Sequence, residues 1–401
     1  MKRPTVSSNS SEDQALGSRR QFLRRAGASA ALATGPWILP ARARASSGEL
    51  NILLWEDACP PGLIQAFEEK TEVKVNFTPA SSSWEIIDVM KGSKGKGFDL
   101  CGAPHSLNMI WEVLGLIQPI DYGQLSNAST INPAMVELGD EEWSFADRGS
   151  HWVPYIWGTE GLMWRHDLWT PEQKIEDFPL PSYVDLWETK LPGKTFLRPL
   201  TAMLGVGLIL EAQGRFEKGE LRRAYDNERT MRQVWQAIVD YCIPRKPRIH
   251  KPWESVEEQR QIMLEDEVVL GQVLQGPAFM KIREQAPWTF RAPKEGALAW
   301  IYGICLSNSA ENLEQAYAFI DFCLDPEISG RSIDGGEVPG WGGHGYNSVV
   351  LGADQFASPE YAKQFYEIYP KNTLANIWPM PRVSLWFNVV RYEYLTKFLE
   401  A

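Results

Sequence analysis

The chain has 401 residues, of which 44% are hydrophobic and 23% are charged, and its formal net charge at pH 7 is −11. This length is more than one hydrophobic core usually serves, so we expect two or three domains. The acidic balance argues against nucleic acid and anionic membranes as partners, because both carry negative charge themselves.

The first 45 residues have the pattern of an export signal. Residues 18–24 read SRRQFLR, which matches the twin-arginine pattern, and a modest apolar segment follows at residues 26–39. Small residues then predict cleavage near residues 43–46. The removed segment holds eight basic and two acidic residues, which leaves 32 basic and 49 acidic residues and a net charge of −17. We expect a periplasmic protein that is exported by the twin-arginine pathway and is not lipid-anchored.

A strand, a helix and a second strand open the mature chain. Residues 50–54 form a near-continuous apolar run, which is typical of a strand covered on both faces of an α/β sheet. Residues 63–67 carry apolar side chains at helical spacing, and residues 73–77 alternate between apolar and polar, so the second strand should return parallel to the first. Ligands of such sheets bind beyond the carboxyl ends of the strands, where three candidate contacts lie: Trp55, Glu56 and Asp57.

The α/β pattern continues along the chain. Residues 98–101 predict a short strand, and the loop at its carboxyl end, residues 102–106, is a second candidate pocket loop that contains Ser106. Residues 121–149 are rich in turn formers and predict a long polar loop. Residues 152–164 hold two apolar runs interrupted by glycines, and we interpret them as the chain leaving one domain for another.

Two further features belong to the second part of the chain. A predicted strand at residues 193–198 ends at Arg198 and leads into a helix predicted over residues 202–213. Residues 299–306 form a second apparent crossing strand, and residues 335–346 form a glycine-rich loop that contains His344.

Motifs of catalysis and of metal or cofactor binding are missing from the sequence. The five histidines lack HxxxH or HExxH spacing, and no GxSxG, P-loop or GxGxxG occurs. The five cysteines form no CxxC pair, and although one or two disulfides could form, Cys101, Cys305 and Cys323 lie in apolar patterns where buried thiols are commoner. We therefore predict no catalytic residues, no cofactor and no metal site. The competing hypothesis is an exported enzyme that carries a cofactor, since the twin-arginine pathway moves folded proteins.

Several stretches in order along the chain resemble the periplasmic polyamine-binding protein family, the spermidine and putrescine receptors of ABC importers. The resemblance spans nearly all of the mature chain. The stretches that carry it are Trp55 with Pro60-Pro61-Gly62 and Phe67, Val153-Pro154-Tyr155-Ile156-Trp157-Gly158, Asp185-Leu186-Trp187, Gly271 with Gly276 and Ala278-Phe279, Pro293-Lys294-Glu295-Gly296 with Trp300, and Phe319 to Pro326.

The resemblance implies the α/β fold of a type II periplasmic binding protein, in which two lobes with mixed sheets close on a ligand about a hinge. By this analogy, lobe 1 comprises residues 46–155 with 301–340, and lobe 2 comprises residues 156–300 with 341–401. The implied partners are a small-molecule solute and the membrane permease subunits of an ABC importer. We expect a monomer that does not bind nucleic acid.

The resemblance also suggests which residues meet the ligand. Trp55 and Trp300 match two stacking tryptophans of the family, and Glu56 or Asp57 fits the position of an acid that follows the first one. Other positions depart from the family, because Arg198 begins the segment where acidic anchors are expected and Tyr302 replaces a carboxylate. Ser106 stands where polyamine receptors have a tyrosine, and His344 lies in the region of another ligand-facing tyrosine.

The resemblance therefore implies that the cleft has exchanged most of its ammonium ligands for Arg198 and Glu160. We expect the ligand to be a small organic amine or zwitterion rather than a plain polyamine, with an anionic solute bound by Arg198 as the alternative. The sequence leaves simpler roles open: Arg198 in a surface salt bridge, Glu160 in a hinge hydrogen bond, and Trp300 in packing. A receptor domain that serves chemosensing or scaffolding is a third hypothesis.

Overall fold

The computed structural model of the protein describes residues 48–175, 177–191, 193–284, 286–369 and 377–401. The predicted twin-arginine signal and its cleavage site fall in residues 1–47 and so lie outside the described residues. None of the helices in the described ranges is long and apolar enough to cross a membrane.

The strands of the described residues lie in one large sheet and one small hairpin. In chain order they are β1 (Glu49–Trp55), β2 (Lys74–Ala80), β3 (Leu100–Pro104), β4 (Ile117–Gln118), β5 (Val153–Arg165), β6 (Lys174–Ile175), β7 (Phe178–Pro179), β8 (Thr195–Leu197), β9 (Ile249–Pro252), β10 (Leu270–Leu274), β11 (Trp288–Arg291), β12 (Ala297–Ser307), β13 (Asn347–Ser348) and β14 (Ile377–Pro379).

The α-helices cover the sheet and connect its strands. They are α1 (Pro61–Thr71), α2 (Ser83–Ser93), α3 (Asn108–Leu114), α4 (Pro133–Glu142), α5 (Tyr183–Trp187), α6 (Pro199–Ala212), α7 (Glu220–Arg223), α8 (Glu228–Cys242), α9 (Val256–Ile262), α10 (Gln275–Arg283), α11 (Leu313–Cys323), α12 (Pro326–Asp334), α13 (Pro359–Ile368) and α14 (Phe387–Glu400).

The large sheet is mixed and has the strand order β2-β1-β3-β12-β5-β10-β8-β9. At one end, which we call the first half, β1 lies parallel to both β2 and β3. At the other end, the second half, β8 lies parallel to β10 and β9. The long strands β5 and β12 lie between the halves and pair antiparallel with each other, with an irregularity between Tyr302 and Gly303. The parallel return of β2 and the two crossing strands agree with the sequence prediction.

The predicted loop over residues 121–149 is wrong in its middle part, where α4 forms. The Asn132 side chain accepts a hydrogen bond from the Ala134 backbone, and Pro133 takes the first helical position, so the helix has a defined start. Only Met135 and Gly139 of α4 are buried, which is why the sequence shows little helical periodicity there.

The two crossing strands approach closely because Gly303 has no side chain. A Cβ atom at this position would lie 2.1 Å from the indole ring of Trp152. That ring is fully buried, and its Nε1 donates a 2.8 Å hydrogen bond to the carbonyl of Ala103 in the first half. Gly303 therefore lets β12 pass directly over Trp152 and fixes where the preceding residue, Tyr302, is placed.

All five cysteines, Cys59, Cys101, Cys242, Cys305 and Cys323, are buried and free. Cys101 and Cys305 face each other across β3 and β12, inside the core of the first half. Buried free thiols at Cys101, Cys305 and Cys323 are what the apolar sequence pattern indicated.

Candidate functional site

Three aromatic rings stack at the junction of β1 and β12. The Tyr302 ring lies between the indoles of Trp55 and Trp300, with ring centroids 3.7 Å from the first and 3.9 Å from the second. The interplanar angles are 9° and 24°, so both contacts are stacked. The Trp55 Nε1 donates a 3.1 Å hydrogen bond to Ser83 Oγ, and this bond holds the Trp55 ring in place at one end of the three stacked rings. We call Trp55, Tyr302 and Trp300 the aromatic stack.

The backbone explains why these rings meet. Trp55 is the last residue of β1, and Trp300 and Tyr302 are two apart in β12, so their side chains leave the same face of the strand. Trp300 pairs with Gly158 of β5, where an added Cβ would lie only 2.7 Å from the Trp300 ring. The glycine in the VPYIWG segment thus provides the room that the Trp300 ring occupies.

Asp57 and the buried Tyr346 form a polar pair beside the stack. The Tyr346 phenol donates a hydrogen bond to the Asp57 carboxylate, and the Tyr346 ring meets the Trp300 ring edge-on at 4.8 Å. Burial raises the pKa of Asp57, and the hydrogen bond from Tyr346 partly opposes this. Because Asp57 follows β1 and Tyr346 precedes β13, the bond joins two distant parts of the chain.

His344 supports Tyr346 rather than joining the stack. Its Nδ1 accepts a 3.0 Å hydrogen bond from the Tyr346 backbone N–H, and the side chain is buried. Burial lowers the pKa of His344 to about 3, so the ring is neutral at physiological pH. Sequence reasoning chose His344 from this glycine-rich loop, whereas the side chain that contacts Trp300 and Asp57 belongs to Tyr346, two residues later.

Glu160 and Arg198 form a second polar cluster. Glu160 is only 2% exposed, and its carboxylate accepts a hydrogen bond from Arg198 Nη1 at 3.3 Å and another from the Gln272 side chain. The Arg198 guanidinium also lies 5.5 Å from the centre of the Trp253 ring. Burial opposes the charge of Arg198, but the combined effect of its acidic neighbours, chiefly Glu160 and then Glu254, outweighs burial, so the pKa of Arg198 is raised.

Glu56 lies next to this site with one oxygen that makes no hydrogen bond. Its Oε1 is buried and has no partner within the described ranges of the chain. Burial raises the pKa of Glu56, the neighbouring Asp57 raises it further, and the charge of Arg260 opposes both. The carboxyl end of β1 therefore has acceptor capacity that the protein itself does not use.

The structure brings together most of the candidate residues. The aromatic stack contacts Asp57 through Tyr346, and Tyr302 is near Arg198, which pairs with Glu160. Ser106 is the exception: its carbonyl accepts a 2.9 Å bond from the Val383 backbone, and no hydrogen bond or ring contact among the described residues joins it to the others. Sequence reasoning missed the partners Ser83, Gln272 and Tyr346.

This arrangement can hold a small charged molecule. Aromatic faces attract cations, buried carboxylates select ammonium groups, and a guanidinium pairs with a carboxylate. Within the described residues, no group of three or more histidine, cysteine, aspartate or glutamate side chains could hold a metal ion. The site therefore has the chemistry of recognition.

His105 positions the strand that carries the stack. Its Nε2 donates a 2.9 Å bond to the Met380 carbonyl, and its Nδ1 accepts a 3.3 Å bond from the backbone N–H of Ile301, which lies between Trp300 and Tyr302. Burial lowers the pKa of His105 to about 4, below its ordinary value of 6.5. The folded structure therefore contains His105 in its neutral form.

His105 should make the protein less stable in mild acid. In the unfolded chain His105 binds a proton below pH 6.5, whereas in the folded chain it stays neutral down to about pH 4. Stability is therefore lost as the pH falls through this range. Between pH 7 and pH 5 we expect this residue to lower the free energy of unfolding by about 2 kcal/mol. Urea unfolding of wild type and His105→Gln at both pH values measures the difference. The exposed His166→Gln is the control, and equal pH dependence in wild type and His105→Gln would contradict the prediction.

A mixed α/β sheet whose two halves share two crossing strands, with aromatic and charged side chains clustered where they meet, is the architecture of two-lobed binding proteins. The family described as bacterial extracellular solute-binding protein matches residues 62–331, and the chain belongs to that family. Its members are receptors that deliver solutes to ABC permeases and are not enzymes. The prediction of a non-enzymatic protein is confirmed, and the hypothesis of a cofactor-bearing enzyme is wrong.

The similar proteins have related descriptions. The chain is 24% identical over 316 residues to the spermidine/putrescine-binding periplasmic protein of Escherichia coli K12. The aligned region covers 79% of this chain and 81% of that protein. The solved structure of a putative spermidine/putrescine ABC transporter from Listeria monocytogenes superposes with a TM-score of 0.69 at 22% identity and covers 88% of this chain and 99% of that one. The structure of the substrate-binding protein PotD of Streptococcus pneumoniae superposes with a TM-score of 0.65 at 21% identity and covers 88% of this chain and 98% of that one. These neighbours have the type II periplasmic binding protein fold, which confirms the predicted fold class.

Proposed function

We propose that this protein is the periplasmic receptor of a polyamine-type ABC importer and that it binds a small organic amine or zwitterion between its two lobes. The lobes are residues 46–155 with 301–340 and residues 156–300 with 341–401. The observation that supports this proposal best is the aromatic stack, whose Tyr302 lies near Asp57 and near the Glu160–Arg198 pair. The relatives named for spermidine and putrescine support the polyamine-type importer.

The proposed mechanism depends on contacts with both halves. Trp55 ends a strand of the first half and Asp57 follows it, whereas Arg198 follows a strand of the second half. A ligand that contacts both sets stabilises the closed form by its differential affinity, and the permease then recognises that form. Export by the twin-arginine pathway and a monomeric state are part of the same proposal.

A plain polyamine fits this site poorly. Tyr302 fills the space between the two indoles, so the tryptophans do not present two free faces to an extended chain. Arg198 adds a positive charge that repels an ammonium group. These two residues favour a ligand that carries a carboxylate besides its amine, with a purely anionic solute as the second candidate.

Mass spectrometry of small molecules released from the purified mature protein tests the proposal. We expect an amine-bearing compound in the supernatant of denatured protein, and calorimetry with that compound should show reversible binding. Spermidine should bind more weakly than about 10 μM, because the site lacks charge-assisted hydrogen bonds for each ammonium. Chemical conversion of the bound compound, or micromolar binding of spermidine, would contradict the proposal.

A further inference from the structure

Arg391 of α14 reaches from the second half toward the first. Its guanidinium lies 5.5 Å from the Trp84 ring of α2, 5.8 Å from the Phe387 ring and 5.2 Å from the Tyr392 ring. Trp84 directly follows Ser83, whose hydroxyl holds the Trp55 indole. The Arg391 side chain is thus placed between the halves, one residue away from the support of the aromatic stack.

Arg391 and Arg198 both have unused hydrogen-bonding capacity. The Nε of each is buried, and neither has a hydrogen-bond acceptor in the part of the chain that the structure describes. Buried guanidinium N–H groups normally find an oxygen, since leaving one without a partner is unfavourable. Two such groups, one beside Glu160 and the other beside Trp84, point to a ligand that brings oxygens.

Glu254 places the two arginines in the same neighbourhood. Its Oε2 lies 3.9 Å from Arg198 Nε, which is an ion pair but too long for a hydrogen bond. Partial desolvation raises the pKa of Glu254, and the positive charges of Arg198 and Arg391 both oppose this increase. The pKa of Arg391 itself is lowered by burial and by the charge of Arg198, as expected for two cations close together.

The opposite polarity is found at the end of β1. Glu56 Oε1 is buried without a donor within the described residues, and Asp57 is adjacent. The first half therefore has one spare acceptor at the end of β1, and the second half has two spare donors. A molecule with an ammonium group at one end and a carboxylate at the other would satisfy both.

We propose, on the basis of the receptor function proposed above, that the ligand is an amino carboxylate whose carboxylate is bound jointly by Arg198 and Arg391. Its ammonium group is bound by Glu56 and Asp57. Arg391 is then a residue that determines specificity, and Glu254 competes with the ligand carboxylate for the two guanidinium groups.

Calorimetry with matched compounds tests this ligand class. The probes are linear ω-amino acids of three to six carbons, with the diamines and dicarboxylates of the same lengths. We expect at least one amino acid to bind at least about tenfold more tightly than its matched diamine and dicarboxylate, because only the amino acid satisfies both ends. Arg391→Gln should lower the affinity for that amino acid by about ten- to a hundredfold.

Two variants separate ligand binding from a merely structural role of Arg391. Arg245→Gln is the matched control, because the Arg245 guanidinium also lies over a ring, 3.7 Å from the centre of Tyr241, and pairs with Glu188. The affinity of this variant for the amino acid should equal that of wild type. Glu254→Gln removes the competing carboxylate, and we expect roughly threefold tighter binding of the amino acid. A damaged fold would not increase affinity.

The possible results lead to different conclusions. A diamine or a dicarboxylate that binds more tightly than the amino acid overturns this inference and leaves the receptor function intact. Equal losses for the amino acid and the diamine in Arg391→Gln would show that Arg391 only braces the two halves, which also overturns it. If no probe binds and no compound is released from the native protein, the receptor proposal fails together with the inference.

Discussion

Replacing Glu160 with leucine is expected to lower the free energy of unfolding by about 3–5 kcal/mol. The Glu160 carboxylate is 2% exposed and accepts hydrogen bonds from Arg198 and Gln272. Leucine removes that acceptor from a guanidinium that is only 22% exposed and leaves the Gln272 amide with Thr201 alone, which is more costly than losing the charged pair as a whole. Urea unfolding followed by circular dichroism at pH 7 measures the change.

The double variant Glu160→Leu with Arg198→Met is the critical control. Because it removes both charges, we expect it to recover more than half of the stability that the single variant loses. Glu172→Leu serves as a surface control, because Glu172 forms a 2.8 Å ion pair with Lys190 while 85% of the Glu172 side chain is exposed. The stability of this variant should match that of wild type. A loss below about 1 kcal/mol in Glu160→Leu, or no recovery in the double variant, would refute the role assigned to the pair.

Replacing Trp55 with alanine is expected to abolish ligand binding and to lower the free energy of unfolding by about 3–5 kcal/mol. The Trp55 side chain is 3% exposed, stacks on Tyr302 at 3.7 Å and is held by Ser83. Alanine leaves a cavity and removes the aromatic surface at the end of β1. Calorimetry with the compound released from wild type should show an affinity at least about a hundredfold lower.

Trp143→Ala separates binding from stability. Trp143 is fully buried in the first half and stacks on Trp152 with ring centroids 5.5 Å apart, but it is not part of the aromatic stack. We expect a comparable loss of stability with unchanged ligand affinity. Equal affinities of Trp55→Ala and wild type, or an equal loss of affinity in Trp143→Ala, would contradict the assignment of Trp55 to the binding site.

The sequence predicted the elements with strong periodicity. The apolar run at residues 50–54 became a strand in which Ile52, Leu53 and Leu54 are fully buried, and the alternation at residues 73–77 became its parallel neighbour. The crossing strands were also predictable, because long apolar runs in β5 and β12 exclude exposed loops. α4 was missed because only two of its residues are buried.

The details of the site depend on contacts that no local pattern contains. The partner of Arg198 is Glu160, which is 38 residues away in the chain, and their approach depends on the antiparallel register that pairs Glu160 with Leu274. Tyr346 lies in a loop where Gly342 and Gly345 have positive φ angles of 74° and 73°, so no helix or strand periodicity indicates which side chain points inward. His344 was therefore chosen in place of its neighbour.

The irregular pairing between Tyr302 and Gly303 affects how the molecule could bend. Because β5 and β12 remain paired on both sides of it, the lobes could swing without rupturing the hydrogen-bond ladder, through a change of strand twist alone. Such flexing would concentrate at the irregular peptide unit and tilt the Tyr302 ring against Trp55. The same few atoms would then determine both the angle between the lobes and the affinity for a solute.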